Sequence, residues 1–242
     1  MLRLLKNKTF MLFFIGNITS LIGFGFNLIA ISWMVLEKSG SEYLLGKIMA
    51  SATAPGLVLA IFAGVIIDKV NRKWLLVFLD IFRMIVVMGF LYYILKHKFE
   101  ISLLYPVALL VGLGNSLFWP TAQAFVQELV SDKDYFDANK LLSASYQVGS
   151  ILGAGIGGFI VHIYSPIAAL WINVFTYFFS AIFISLAPFK RKKFNTEEKS
   201  LYDSIAKGFQ YLRKRIDVLI VGLTTILSDV AIWGSLSVLT IT

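Results

Sequence analysis

Long apolar runs separated by short polar connectors organise this chain. Seven runs reach the length of about 20 residues that a helix needs to cross the hydrocarbon core of a membrane. A lone strand in lipid would leave its backbone groups unpaired, so each run predicts a helix. The predicted spans are residues 9–36, 46–67, 74–95, 101–127, 141–163, 166–189 and 217–242.

Composition supports a membrane protein and excludes several other classes. Of the 242 residues, 58% are hydrophobic and 15% charged, whereas about 25% are charged in soluble domains. The chain has no cysteine, and its two histidines, His97 and His162, have no metal-like partners at useful spacing. We find no phosphate-binding loop and no nucleophile elbow. The sequence therefore predicts no enzyme, no metal site, no cofactor and no nucleic-acid partner.

Lysines and arginines predict the orientation of the spans. Seventeen of the 22 lie in the N-terminal segment and in alternate connectors, and four lie in the remaining connectors. Cytoplasmic loops carry the excess of basic residues. We therefore expect the N-terminus and residues 190–216 to be cytoplasmic.

The connector 190–216 is strongly basic and also carries apolar residues at helical spacing, namely Leu201, Ile205, Phe209 and Leu212. This pattern predicts an amphipathic helix along an anionic inner leaflet, and a basic topogenic linker is the alternative. The predicted domains are a bundle over 1–189, this loop over 190–216, and a seventh helix over 217–242 that begins an incomplete C-terminal half.

Three charged residues lie well inside the apolar runs, away from their ends, where charge is costly and usually functional. Asp80 and Arg83 share one face of the third span. They either neutralise each other or reach Asp68 and Arg72 across the connector, and a structural ion pair is the plainer interpretation. Asp229, in the seventh span, has no local cation and is a candidate site for a proton or a cationic substrate.

Polar and aromatic residues form a stripe on each of three spans. The stripes are Asn17, Ser20, Phe24 and Asn27 on the first span, Asn115, Trp119 and Gln123 on the fourth, and Ser143 and Gln147 on the fifth. Three such stripes predict a hydrated central cavity for a small-molecule substrate. Hydrogen bonding between helices of a closed bundle is the alternative.

The fifth span also carries a glycine motif formed by Gly149, Gly153, Gly157 and Gly158. Three of these glycines recur every four residues, as in the small-xxx-small packing of membrane helices. We expect this face to approach a neighbouring helix closely.

Two segments resemble motifs of the major facilitator superfamily. The segment GVIIDKVNRKW is similar to the signature that follows the second helix of that superfamily, with matches at Gly64, Asp68, Lys69, Arg72 and Lys73. The segment GSILGAGIGG is similar to its fifth-helix antiporter motif, with Ala154 where proline is usual. The resemblance implies that Asp68 and Gly64 act as a gate latch, closing the cytoplasmic side against the other half of the transporter.

Three longer segments carry a more specific resemblance: LLKNKTFMLFFIGNITSLIGFGF, LFWPTAQAFVQELVSDKDYFDANKLLSASYQVGSILG and SIAKGFQYLRKRIDVLIV. They are similar to the bacterial branch that contains macrolide-efflux proteins and the enterobactin exporter, and this resemblance covers nearly the whole chain. Members of that branch have twelve spans, so this all-α chain resembles the N-terminal six-helix half, built as two three-helix inverted repeats, plus helix seven. The resemblance implies a multi-pass protein of the bacterial plasma (inner) membrane. Its implied partners are the lipid bilayer, protons and a C-terminal half in the same or a separate chain.

The implied function is a secondary transporter that exports macrolide-like drugs or small hydrophobic metabolites by alternating access. Two alternatives remain at this point. One is a lipid or nutrient transporter of the same superfamily. The other is a truncated or split half-transporter without independent activity.

Overall fold

The computed structural model describes residues 2–189 and, beyond them, residues 210, 213–218, 220, 221, 224, 227 and 228. Residues 2–189 belong to one compact unit, and the described residues from 210 onward belong to a second. The helices of the first unit are α1 (Leu2–Leu5), α2 (Lys8–Ser39), α3 (Glu42–Lys69), α4 (Arg72–Lys96), α5 (Leu104–Leu129), α6 (Tyr135–Ile163) and α7 (Pro166–Leu186). A short 3₁₀ turn, Ile101–Leu103, leads into α5.

The prediction of an all-α, polytopic membrane bundle is confirmed. Among the described residues, six helices are long and apolar enough to cross a membrane, and they correspond to α2–α7 and to the first six predicted spans. The apolar residues of the predicted amphipathic helix and Asp229 lie outside the described residues, as does most of the seventh span. The prediction placed the start of the fifth span at residue 141, whereas α6 begins at Tyr135. The first turns of α6 are helical but polar, so a search for apolar residues did not include them.

Short polar side chains start four of these helices. Each N-cap oxygen accepts a hydrogen bond from a backbone N–H of the first turn, which satisfies a donor that has no partner within the helix. The N-caps are Asn7 for α2, Ser41 for α3, Asn71 for α4 and Ser165 for α7. Between α2 and α3 the chain turns at Gly40, whose φ of 61° favours glycine.

The packing of α2–α7 has the pairing pattern of an inverted repeat. α2 packs along α6 and α7, α5 packs along α3 and α4, and α4 packs against α7. Exchanging α2 with α5, α3 with α6 and α4 with α7 leaves this set of pairs unchanged. Successive spanning helices alternate in direction, so the first helices of the two triplets run antiparallel.

Glycines set the close crossing of α2 and α6. A Cβ atom on Gly25 would lie 2.7 Å from the Cα of Gly153, and one on Gly149 would lie 2.6 Å from the Cβ of Leu21. Gly157 lies in ordinary contact with α2, whereas a Cβ on Gly158 would meet no atom within 4 Å. Three of the four motif glycines therefore face α2, and Gly158 does not.

Two apolar clusters fill the bundle, one towards each end. On α2, the first cluster contains Phe10 and Phe13 and the second contains Phe26 and Ala30. Along the chain, α4 and α6 meet the clusters in the same order as α2, and α3, α5 and α7 meet them in the reverse order, as antiparallel neighbours do. Buried polar residues lie between the two clusters on four helices, so the middle of the bundle holds a polar layer. They are Asn17 and Ser20 on α2, Asp80 and Arg83 on α4, Ser145 on α6 and Ser180 on α7.

The orientation remains a prediction and can be tested at the two ends of α4. With a rise of about 1.5 Å per residue, α4 separates position 71 from position 98 by the thickness of a membrane. The chain contains no cysteine, so Asn71→Cys and Lys98→Cys each provide a single reactive thiol. In intact cells, we expect an impermeant maleimide to label position 98 and to spare position 71. Labelling of position 71 alone would contradict this orientation and indicate the opposite one.

Candidate functional site

A buried ion pair lies in the polar layer. Asp80 is 0% exposed and Arg83 is 2% exposed. Nη2 of Arg83 contacts Oδ1 of Asp80 across one turn of α4. The two residues therefore neutralise each other, and neither of them reaches the pair formed by Asp68 and Arg72.

The carboxylate of Asp80 joins three helices. Ser20 of α2 donates its hydroxyl to Oδ1 at 2.8 Å, and Ser180 of α7 donates to Oδ2 at 2.6 Å. Both oxygens are therefore satisfied, as burial of a charge requires.

Arg83 distributes its N–H groups over a similar set of partners. Nε donates to the carbonyl of Leu79 at 3.2 Å, and Nη1 donates to Oδ1 of Asn115 at 2.6 Å. Nη2 donates to Ser20 at 3.0 Å as well as to Asp80. Arg83 thereby connects α4 to α2 and α5.

Aromatic rings and one glycine complete the surroundings of Arg83. The guanidinium carbon lies 4.3 Å from the ring centre of Phe118 and 4.5 Å from that of Tyr177, distances typical of cation–π contacts. A Cβ on Gly114 would lie 2.6 Å from Cγ of Arg83. Glycine at this position therefore makes room for the arginine stem.

Two cavities adjoin this layer. The first, of about 370 Å³, is lined by α2, α3 and α5. The second, of about 310 Å³, is lined by α2, α4, α5 and α6 and includes Arg83. Phe24 and Asn115 line both cavities, so the two are neighbours. In the second cavity, the rings of Trp119 and Tyr146 lie 5.0 Å apart.

The predicted cavity residues divide into three groups. Phe24, Asn27, Asn115 and Trp119 line a cavity. Asn17 and Ser20 are buried and make hydrogen bonds between helices, so these two follow the alternative given for the stripes. Gln123, Ser143 and Gln147 are exposed and line neither cavity.

The residues that match the superfamily signature are called the loop motif below, and they lie where α3, α4, α5 and α7 meet at one end of the bundle. They are Gly64, Asp68, Lys69, Arg72 and Lys73. Asp68 is 63% exposed, and its Oδ1 lies 2.8 Å from Nη2 of Arg72. Nη1 of Arg72 lies 2.9 Å from Oε1 of Glu128 and donates to the carbonyl of Ala124 at 3.0 Å. Arg72 thus links the α3–α4 connector to the end of α5.

Lys73 makes a second link at the same end. Its side chain is buried, and Nζ donates to the carbonyl of Ala187 at 2.7 Å, just after α7 ends. A cation at the C-terminus of a helix is favoured by the helix dipole. Lys69 and Gly64 are exposed, and a Cβ on Gly64 would meet no atom within 4 Å.

Comparison with known proteins identifies the family. Residues 2–241 match the model of a family described as transmembrane secretion effector. The chain is 27% identical over 185 residues to an uncharacterized MFS-type transporter, YfiS, of Bacillus subtilis (strain 168), covering 75% of this chain and 43% of that protein. It is 24% identical over 202 residues to a putative bacilysin exporter, BacE, of Bacillus amyloliquefaciens, covering 83% and 50%.

A third relative is a multidrug efflux pump, Tap, of Mycolicibacterium fortuitum, which is 24% identical over 187 residues, covering 75% of this chain and 46% of the pump. The chain spans about half the length of these relatives or less. Six apolar helices and membership in a transporter family together show an integral membrane protein, whose surroundings are the lipid bilayer. The chain belongs to the transmembrane secretion effector family of major facilitator transporters.

Proposed function

We propose that this chain works in a secondary transporter of the bacterial plasma membrane that exports drugs or small hydrophobic metabolites by alternating access. The observation that carries the proposal is the pair of adjoining cavities beside a polar layer, halfway along an apolar bundle. The names of two relatives, the putative bacilysin exporter and the multidrug efflux pump, support the outward direction. A proton gradient is the proposed energy source, and a C-terminal half in the same or a separate chain is the proposed partner.

The loop motif is proposed to latch the cytoplasmic side of the transporter. Asp68 presents an exposed carboxylate at the end of α3. The open space at Gly64, one turn earlier, leaves room for a helix to approach. A carboxylate placed at the N-terminus of such a helix gains about 0.3–1 kcal/mol from the helix dipole.

Transport in everted membrane vesicles tests the proposal. Vesicles with and without the chain are incubated with a mixture of macrolides, other hydrophobic drugs and cellular metabolites, and the accumulated compounds are quantified by mass spectrometry. We expect accumulation that depends on the chain and is lost when a protonophore collapses the pH gradient. Accumulation confined to right-side-out vesicles would indicate uptake. Equal accumulation with and without the chain would contradict the proposal.

Asp68→Asn isolates the latch, because it removes the charge and preserves the shape of the side chain. Loss of about 1 kcal/mol from the closed state is expected to lower the export rate about fivefold, while the amount of protein in the membrane stays the same. Asp132→Asn, the same change at an exposed site between α5 and α6, is the matched control. Export by Asp68→Asn at the wild-type rate would remove the basis for the latch.

A further inference from the structure

The walls of the two cavities offer hydrogen-bond donors and a cation. Of the charged residues that the structure describes, Arg83 alone lines either cavity. Its counter-charge, Asp80, is 0% exposed, and both of its oxygens accept hydrogen bonds from neighbouring helices or from Arg83. A bound molecule therefore meets the guanidinium and is separated from the carboxylate.

Arg83 keeps one donor for a ligand. An arginine side chain carries five N–H groups and no acceptor. Four of these groups donate to Leu79, Asn115, Ser20 and Asp80. The fifth, on Nη1, makes no hydrogen bond shorter than 3.5 Å to a described residue, and Arg83 lines the second cavity. The buried hydroxyl of Tyr177 is the nearby acceptor with which a ligand competes for Arg83.

Asn115 is oriented as a donor by its contact with Arg83. Because Arg83 can only donate, the amide oxygen of Asn115 must be the atom that faces Nη1, at 2.6 Å. The NH₂ group of Asn115 therefore points away from Arg83, and it makes no hydrogen bond to any described residue. Since Asn115 lines both cavities, this NH₂ group is available where the two cavities meet.

Asn27 supplies a third amide, in the wall of the first cavity. The residue is 6% exposed, and its Nδ2 is buried with no hydrogen-bond partner in the described part of the chain. An unpaired buried donor is unfavourable, because it loses its hydrogen bond to water and gains none in return. The last torsion of asparagine has two orientations about a half-turn apart. In the orientation that turns Nδ2 into the cavity, an oxygen atom bound there can accept from this group.

We propose that the joined cavities bind apolar molecules that carry acceptor oxygens, such as ketones, esters or carboxylates, and discriminate against cationic amines. Phe24, Phe118 and Trp119 contact the apolar body, and Arg83, Asn115 and Asn27 donate to the oxygens. This inference rests on the proposed function for its biological meaning, since it names the substrate class of the same site. The binding preference itself can be measured without transport.

Equilibrium binding to the purified chain in detergent, by scintillation proximity, tests the preference. The radioligand is tritiated 2-acetonaphthone, a neutral ketone, and binding is measured as the saturable fraction. The competitors share its naphthyl group: 2-isopropenylnaphthalene lacks a polar group, 2-naphthoate carries a carboxylate, and 1-(2-naphthyl)ethylammonium carries a cation. In the wild type we expect the ketone and the carboxylate to bind about tenfold more tightly than the hydrocarbon, and the ammonium to bind most weakly.

Two variants test the donors. Asn115→Asp keeps an oxygen facing Arg83 and replaces the donor that faces the cavity with an acceptor. We therefore expect the affinity for the ketone to fall about tenfold and the affinity for the ammonium to rise. Asn27→Leu removes an unpaired buried donor, so we expect weaker ketone binding with an unchanged or higher melting temperature. Thr19→Val is the control on α2, because the hydroxyl of Thr19 donates to Ile15 and lines neither cavity.

Three results would overturn the inference: no saturable ketone binding, tighter binding of the ammonium than of the ketone to the wild type, or an unchanged ligand order in Asn115→Asp. A ketone preference in a chain that transports nothing would leave this inference standing and contradict the proposed function. Export of cationic amines by a chain that shows no ketone preference would support the proposed function and contradict this inference.

Discussion

Asp80→Ala is expected to destabilise the bundle by about 3–5 kcal/mol, because removal of one partner leaves the other charge buried and uncompensated. The substitution leaves the guanidinium of Arg83, which is 2% exposed, buried without its counter-charge. It also removes the acceptor of the hydroxyl groups of Ser20 and Ser180, so α7 loses its hydrogen bond to α4 at this level and α2 keeps only the bond that Arg83 donates to Ser20. Unfolding of the purified chain in mixed micelles, titrated with sodium dodecyl sulfate, measures the loss.

The double variant Asp80→Ala/Arg83→Met separates the lost charge balance from lost packing. Removing both charges is often neutral or stabilising compared with removing one, so we expect the double variant to recover most of the stability. Asp132→Ala, at an exposed site, controls for the loss of an acidic residue as such. A single variant within about 1 kcal/mol of wild type would show that the pair is not a structural junction, since its predicted cost is several times larger.

Gly153→Ala is expected to destabilise the chain by about 1–3 kcal/mol through overpacking. The added methyl group would overlap the carbonyl of Ile22 and would lie 2.9 Å from the Cα of Gly25, and backbone atoms cannot move aside as a flexible side chain can. The same unfolding titration measures the effect.

Gly158→Ala is the matched control, because it belongs to the same glycine motif and faces open space. Alanine is favoured over glycine inside a helix by up to about 1 kcal/mol, so this variant is expected to be neutral or more stable. Equal effects of the two substitutions would show that the motif does not set the α2–α6 crossing.

The helices were predictable because each depends on a local pattern. A long apolar run predicts a membrane helix wherever it occurs. Asn and Ser at the connectors became N-caps, as at Asn7 and Ser41. The start of α6 was missed, because its first turns are polar and the criterion used was apolar length.

The partners of the polar residues were not predictable, because they come from other helices. Ser20 is 60 residues from Asp80 in the sequence and Ser180 is 100 residues from it, and periodicity on one helix does not specify its neighbour. Glu128 was missed as a partner of Arg72 for the same reason. An intramembrane charge does require polar partners, so hydroxyl groups at matching depth, which include both serines, were the candidates that the sequence offered.

Helical spacing also could not show which environment each polar stripe faces. Asn17 and Asn27 belong to the same stripe of α2, yet Asn17 donates to Ser145 of α6 and Asn27 lines a cavity. The difference comes from the neighbouring helices, because Asn17 faces Ser145 of α6 whereas Asn27 faces the cavity between α2, α3 and α5. A stripe therefore predicts a polar face, and packing decides how much of it remains open.

The central claim is that the face formed by α2 and α5 holds the transported molecule. A single cysteine at position 116, which lines the first cavity, reports on this face because the chain has no other cysteine. We predict that a water-soluble maleimide labels Ser116→Cys faster than Phe159→Cys, an exposed position on α6, and that a compound exported in the vesicle assay slows labelling only at position 116. Equal labelling of the two positions, unaffected by an exported compound, would contradict the account.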